Sequence, residues 1–448
     1  MGKKGEASAD HVHQNGGFGS SFGFVLACVG SAVGMGNIWL FPYRVGQYGG
    51  AAFLVPYLLF VVLFGMVGLT AEFAIGRRAK TGTLGAYEYC WNAIGKGKMG
   101  YVLAWIPLLG SLGISIGYAV IVGWVVRSLA GSLTGDILIQ EAASYFAAAT
   151  GDFGSIPWHL LVIVTAAGIL MFGATKGIEK INKILMPSFF VLFAVLAVRV
   201  AFLPGAAEGY KFLLVPRWED LLKIDTWVMA MGQAFFSLSI TGSGMIVYGT
   251  YLSKKEDIPK ASMRTAFFDT LAAMMAAFAI MPAVFSFGIE PTSGPPLMFI
   301  TLPNIFRQIP MGRLFAALFF LSVAFAGITS LINMFEAVSE SWQTRFHLGR
   351  KTAVSLCAGI AFAVGLFLEA EPKVGSWMDF ITIIVVPFGA VLGAISIYYI
   401  LGFDEIRKEL EEGRKKPLAK CFGPIAKYVY VPLCVIVFVL GIVYGGIG

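Results

Sequence analysis

Charge is scarce in this chain. Only 13% of its 448 residues are Asp, Glu, Lys or Arg, against about a quarter in soluble domains, which excludes an ordinary water-soluble protein. Histidine is sparser still: His11, His13, His159 and His347 are scattered. With no metal-ligand cluster, phosphate loop or nucleophile-base grouping beside them, an enzyme is not expected. The cysteines, at positions 28, 90, 357, 421 and 434, are odd in number and lie in apolar runs or basic loops. No disulfide is expected. Residues 1–20 are polar and glycine-rich and lead straight into an apolar run, so no cleaved leader is expected either.

What is abundant is apolar residue, 57% of the chain. It comes in runs of helical spanning length, at about 22–39, 51–75, 99–126, 158–172, 184–203, 227–252, 266–289, 314–337, 352–368, 377–401 and 429–447. These predict an all-α integral membrane protein with eleven spans. Placing the amino terminus in the cytoplasm puts 24 of the 33 Lys and Arg inside, at positions 3 and 4 and in segments 77–98, 176–183, 254–264, 345–351 and 407–427. The positive-inside rule favours that orientation. The carboxyl terminus is then outside, in a plasma membrane, and the lipid bilayer is the chain's surroundings. The net charge of +7 is accounted for by the inner loops and implies no nucleic acid partner.

The first run is interrupted. Gly30-Ser31-Ala32-Val33-Gly34-Met35-Gly36-Asn37 places three glycines and two polar side chains where a lipid-crossing helix is ordinarily continuous. Each glycine costs a helix interior about 1 kcal/mol, and backbone groups left unpaired against hydrocarbon are not tolerated. Freed amides and carbonyls at mid-depth suit the carboxylate of a small zwitterion and a sodium ion, so the break predicts a sodium-coupled carrier. A second interruption, Phe235-Phe236-Ser237-Leu238-Ser239-Ile240-Thr241-Gly242-Ser243-Gly244, follows five spans later. Matched breaks point to an inverted repeat: a cytoplasmic segment 1–20, spans one to five in 21–203, spans six to ten in 204–401, and a loop with span eleven in 402–448. Loop 130–156 is acidic and rich in small residues, and the proline-rich segment 289–313 reads as a re-entrant or lid-like loop.

The stretch from Gly30 to Tyr43, ending Asn37-Ile38-Trp39-Leu40-Phe41-Pro42-Tyr43, resembles the signature of the neurotransmitter:sodium symporter family. Further matches follow in order: Tyr48-Gly49-Gly50-Ala51-Ala52-Phe53-Leu54-Val55-Pro56-Tyr57, Tyr118 before Gly123-Trp124, Phe236-Ser237-Leu238-Ser239, and Ala326-Gly327-Ile328-Thr329-Ser330. The resemblance implies the LeuT fold, a 5+5 inverted repeat with broken first and sixth helices plus an eleventh helix, and alternating access with two sodium ions. It sets no oligomeric state.

By this resemblance, one sodium site takes the backbone oxygens of Gly30, Val33 and Ala326 and the hydroxyls of Thr329 and Ser330. The alternative for that Ser/Thr pair is hydroxyls bonded to carbonyls of their own helix. The other site takes Ala32, Asn37, Ser237 and Asp269, completed by the substrate carboxylate. An intramembrane carboxylate is usually functional; Asp269 alternatively lies near enough the inner interface to be solvated. Many relatives have a neutral residue there and bind chloride, so Asp269 implies chloride-independent transport. Tyr57, Gln233 and Ser237 match chloride-site positions and can instead orient Asp269.

The resemblance places the substrate among Ser31, Ala32, Met35, Gly36, Ile114, Tyr118, Phe236, Ser237, Ser239, Gly242, Ser330 and Met334. Free amides at Met35 and Gly36, at a half-helix start, form the carboxylate seat, with a bond from the Tyr118 hydroxyl. Gly34 stands where monoamine carriers have aspartate, which argues against an amine-only ligand. The cup is mostly apolar, and Gly242 replaces a bulkier residue and leaves volume for a ring. Aromatic or large aliphatic amino acids are expected. A neutral aromatic, another non-amino-acid ligand, or a transporter-like sensor remain alternatives.

Several gate residues depart from the family. Leu40 replaces the usual outer arginine, and Arg44, one turn on, pairs with Asp379 in the expected outer gate, or else reaches for headgroups. At the inner end Phe18 replaces a tryptophan, and Asn15 and Ser21 replace arginines. Gly177 and Pro187 resemble a hinge where the fifth span unwinds, and Glu72 resembles a residue that satisfies the broken sixth span.

Overall fold

A computed structural model describes residues 18–289 and 296–447. Asn15, His11, His13 and the middle of the proline-rich segment lie outside the described residues. Within them every regular element is a helix. Eight helices are long and apolar enough to cross a bilayer: Ala51–Ala79, Gly97–Thr134, Lys176–Ala201, Ile258–Ser286, Gly312–Phe346, Arg350–Leu368, Glu371–Glu411 and Phe422–Tyr444. These are the second, third, fifth, seventh, eighth, ninth, tenth and eleventh spans. The fourth is the shorter Ile156–Met171. The first is a pair, Ser21–Ala32 and Gly36–Gln47, bent by 62°, and the sixth is a pair of short helices, Ile224–Ser237 and Gly244–Thr250. Together they make eleven helical passes.

Local chemistry sets where the spans begin. The Ser20 hydroxyl accepts from the Gly23 amide to cap the first span, and the Asp257 side chain accepts from the Lys260 amide ahead of the seventh, with Pro259 in its first turn. Both devices satisfy donors that a helix start leaves unpaired. Predicted and observed spans differ mainly at their ends, because helices here continue beyond the apolar run into polar caps.

The third span is the most enclosed, with 89% of its apolar window buried, against 28% for the fifth and 33% each for the ninth and eleventh. It therefore forms the centre, and the others the rim. Close backbone approach supports this centre: a Cβ at Gly327 of the eighth span would come within 2.8 Å of the Val122 side chain. The second helix of the sixth span is similarly tight against the second span, where a Cβ at Gly249 would meet the Phe73 carbonyl at 2.5 Å. Exposed apolar side chains such as Leu58, Leu59 and Val62, Val191 and Val198, and Ile436 and Val443 face outward, as lipid contact requires. All five cysteines are free.

The proline-rich segment contains a π-helical turn, Leu297–Thr301, running into the helix Leu302–Gln308. Leu297, Met298, Phe299, Leu302, Ile305 and Phe306 are buried, and Phe299 stacks on Phe146 at 4.9 Å and meets Trp124 edge-on. The described part is thus a helix packed onto the bundle.

Candidate substrate and ion site

The first helix of the first span ends at Ala32 because Val33 leaves helical geometry, at φ −70° and ψ 107°. The break is held from outside. The Met35 amide donates to the Tyr118 hydroxyl oxygen at 2.9 Å, and the Gly34 amide to Asn37 Oδ1 at 3.0 Å. The expected free amide at Met35 is therefore already engaged, since Tyr118 is near enough to take it. Gly36 stays open: a Cβ there would meet nothing within 4 Å. Gly34 has no such room, because its Cβ would lie 2.5 Å from the Tyr118 hydroxyl and 2.9 Å from Ser330 Oγ.

A cavity of about 390 Å³ opens beside the break. Of the expected substrate positions, Ser31, Ala32, Met35, Gly36, Ile114, Tyr118, Phe236, Ser237, Ser239, Ser330 and Met334 line it. Its walls also include Met378, Thr382 and Ile383 of the tenth span, and it reaches Arg44, Asp379 and Gly446.

Gly242 does not line this cavity, and here the sequence expectation needs correction. Its φ of +71° turns it toward the tenth span, where a Cβ would lie 2.5 Å from the Gly389 carbonyl oxygen and 2.7 Å from the Tyr87 hydroxyl. Glycine is needed there for backbone approach and a left-handed turn, so it adds no volume for a ring. Thr241 and Gly244 face the cavity in its place. The Gly242 amide donates to Glu72 Oε1 at 2.8 Å, so Glu72 does satisfy the broken sixth span.

Two oxygen clusters flank the cavity. In the first, Asn37 Nδ2 donates to Ser237 Oγ at 3.1 Å and to Asp269 Oδ1 at 2.8 Å, and Ser237 donates to Asp269 Oδ2 at 2.6 Å. Asp269 is 0% exposed, so it is not solvated at an interface. The polar atoms Tyr57 Oη and Gln233 Oε1 are buried without partners, and Gln233 Nε2 donates to the Gly36 carbonyl at 3.3 Å.

In the second cluster the two hydroxyls behave differently. Ser330 Oγ crosses to the first span, within 3.3 Å of the Gly30 carbonyl, 3.2 Å of Ser31 and 3.0 Å of Val33. Thr329 Oγ1 instead donates within its own helix, to Phe325 and Ala326 at 3.0 Å each. The convergent carbonyls and hydroxyls fit a hard monovalent cation, which takes oxygen ligands.

Comparison with known proteins decides what this arrangement belongs to. The sequence profile of the sodium:neurotransmitter symporter family matches residues 15–150 and 141–445. This chain belongs to that family. It is 32% identical over 451 residues to YhdH, an uncharacterized sodium-dependent transporter of Bacillus subtilis, covering 95% of this chain and 97% of that protein. A sodium-dependent transporter of Haemophilus influenzae is 30% identical over 436 residues, covering 92% and 95%. The crystal structure of MhsT in complex with L-phenylalanine matches at a TM-score of 0.84 with 31% identity, covering 95% of this chain and 99% of that one. The symporter fold is the LeuT fold, in a membrane transporter family that uses sodium and is not an enzyme family.

At the end of the cavity lined by the second half of the first span, Arg44 and Asp379 line the same space, and Arg44 bonds other partners. Arg44 Nη1 reaches the Tyr48 hydroxyl at 3.5 Å and Met229 Sδ at 3.1 Å, with its guanidinium over the Tyr43 and Tyr48 rings. Ahead of the first span lies Phe18, whose ring meets Phe24, Tyr248 and Tyr251 edge-on at 5.5, 5.9 and 5.8 Å. Beside it the Gly19 amide and Ser20 hydroxyl donate to Glu179, and Ser21 donates to Glu256 at 2.7 Å. Glu336 binds Arg350 at 2.7 Å and accepts from Tyr251 at 2.5 Å. At the hinge expected between Gly177 and Pro187, residues Ala174–Glu179 form a π-helical turn entering the fifth span.

Asn333 is a site residue that sequence reasoning missed. It lines the cavity, is 5% exposed, and its Nδ2 has no hydrogen-bond partner. Its place three residues after Ser330, nearly one turn on, was the available signal.

Proposed function

We propose that this protein imports hydrophobic amino acids, aromatic or large aliphatic, together with two sodium ions by alternating access. The observation that carries the reading is the Gly34-Met35-Gly36 break, with Tyr118 at one side and the Asn37–Ser237–Asp269 cluster at the other. A substrate carboxylate at Gly36, within reach of the Tyr118 hydroxyl, completes the first ion site, so ion and substrate stabilise each other's binding. The amine then meets carbonyls and hydroxyls of the two breaks, including Ser31 and Ser239. Ile114, Phe236 and Met334 receive the side chain, and apolar walls of this kind favour apolar groups. MhsT, whose structure holds L-phenylalanine, supports an aromatic preference.

Asp269 supplies the fixed negative charge that chloride provides elsewhere, which makes transport chloride-independent. In the second site Ser330 and the Gly30, Val33 and Ala326 carbonyls hold the other ion, and Thr329 turns its hydroxyl from its own helix to join them. Arg44 and Asp379 close the outer side once substrate is bound. The amino terminus is cytoplasmic and the carboxyl terminus outside, and residues 21–203 and 204–401 form the two inverted repeats. The membrane potential adds about 2.3 kcal/mol per charge per 100 mV to inward movement.

The test is uptake into proteoliposomes of labelled phenylalanine, tryptophan, tyrosine, leucine and glycine under an inward sodium gradient, with chloride or gluconate. Sodium-driven uptake of the aromatic substrates, equal in both anions, is expected. Uptake that ignores sodium, or no uptake of any amino acid, overturns the reading.

A further inference from the structure

The fifth span carries a polar side chain that the family resemblance assigns no role. Asn182 lies five residues after Gly177, is 0% exposed, and belongs to a helix that packs against the inner half of the first span and against the eighth. Its Nδ2 donates to the Ile178 carbonyl of its own helix at 2.9 Å. That bond fixes the amide and turns Oδ1 away, and Oδ1 has no hydrogen-bond donor.

Oδ1 rests against Gly30, in the last turn of the helix Ser21–Ala32 ahead of the first break. A Cβ at Gly30 would stand 1.8 Å from Asn182 Oδ1 and 3.2 Å from Thr329 Cβ. The unpaired oxygen therefore lies beside two members of the second sodium set. Burying an amide oxygen without a partner is unfavourable, and a leucine would fill similar space without that cost. The Gly30 and Val33 carbonyls, which share the Ser330 hydroxyl, and the Ala326 carbonyl, which takes the Thr329 hydroxyl, are the other acceptors of that set. A gathering of acceptors is completed by a cation.

We propose that Asn182 Oδ1 is an additional ligand of the second sodium ion, supplied by the fifth span at the inner side of the site. This rests on the sodium-symport reading above. The ion is then held by the first, fifth and eighth spans together. Unwinding of the fifth span near Gly177 withdraws one ligand and opens the inward exit in the same movement.

The test uses purified full-length protein without substrate and reads sodium binding by ²²Na⁺ scintillation proximity and by sodium-dependent thermal stabilisation, with choline as the control cation. Asn182→Leu, which keeps the volume, and Asn182→Ala are compared with wild type, Asn182→Asp and Ser330→Ala. Both apolar variants are expected to raise the half-saturating sodium concentration about tenfold, with melting in choline unchanged, whereas Asn182→Asp retains affinity. Sodium is also expected to slow amide exchange across 174–187 in wild type and not in Asn182→Leu.

Equal sodium affinity in wild type and whichever apolar variant folds, with Ser330→Ala weakened, overturns the Asn182 proposal and leaves the symport reading standing. No sodium response in wild type overturns both.

Discussion

The Ser330 hydroxyl of the eighth span donates to the Val33 carbonyl at the break of the first, 3.0 Å away across 297 residues of sequence. One short side chain thus links the segment that unwinds to the helix that stays whole. Ser330→Ala is expected to leave the fold intact and to weaken apparent sodium affinity about tenfold, or about 1.4 kcal/mol. Sodium titration of uptake, alongside thermal melting, checks this. An unchanged titration removes Ser330 from the ion site.

Tyr118 holds the Met35 amide and borders the place assigned to the substrate carboxylate. Tyr118→Phe removes a hydrogen bond worth about 1 kcal/mol and leaves a buried amide unpaired. The KM for substrate is expected to rise about five- to tenfold with a smaller change in maximal rate, measured by uptake at saturating sodium. A change confined to the maximal rate would place Tyr118 in the conformational step.

Asp269 is fully buried and accepts from both Asn37 and Ser237. Asp269→Asn keeps the size and removes the fixed charge. It is expected to lose uptake in chloride-free medium and to recover part of it as chloride is added. Wild type should be indifferent to the anion. Equal uptake by the variant in chloride and in gluconate would refute the counter-charge role.

Two glycines predict opposite outcomes. Gly242→Ala combines a left-handed φ with a Cβ 2.5 Å from the Gly389 carbonyl, and should destabilise the protein by at least about 2 kcal/mol. Gly36→Ala adds its methyl to open space, so melting should hardly move while substrate affinity falls as the carboxylate seat is filled. Melting curves and substrate titrations of the pair separate the two effects.

Much of this was legible along the chain because membrane burial makes polarity conspicuous. Serine, asparagine and aspartate inside apolar runs stand out, and eleven of the expected substrate positions that line the cavity were named by that contrast together with the family resemblance. Asn333 was equally conspicuous as a residue type but belongs to no quoted motif, and Asn182 lies in the basic segment 176–183 ahead of the apolar run, where a polar residue does not stand out. Gly242 was misread because its position in a broken helix says nothing about which way the next bond turns.

Composition and apolar run length by themselves determined that the chain spans a membrane with helices, and glycine placement determined where two of them break, since backbone groups in hydrocarbon have few ways to be satisfied. Only the tertiary structure decided which side chains satisfy those breaks. Tyr118 meets Met35 and Glu72 meets Gly242 across different spans, and such pairings depend on helix rotation and approach, which one-dimensional spacing does not encode.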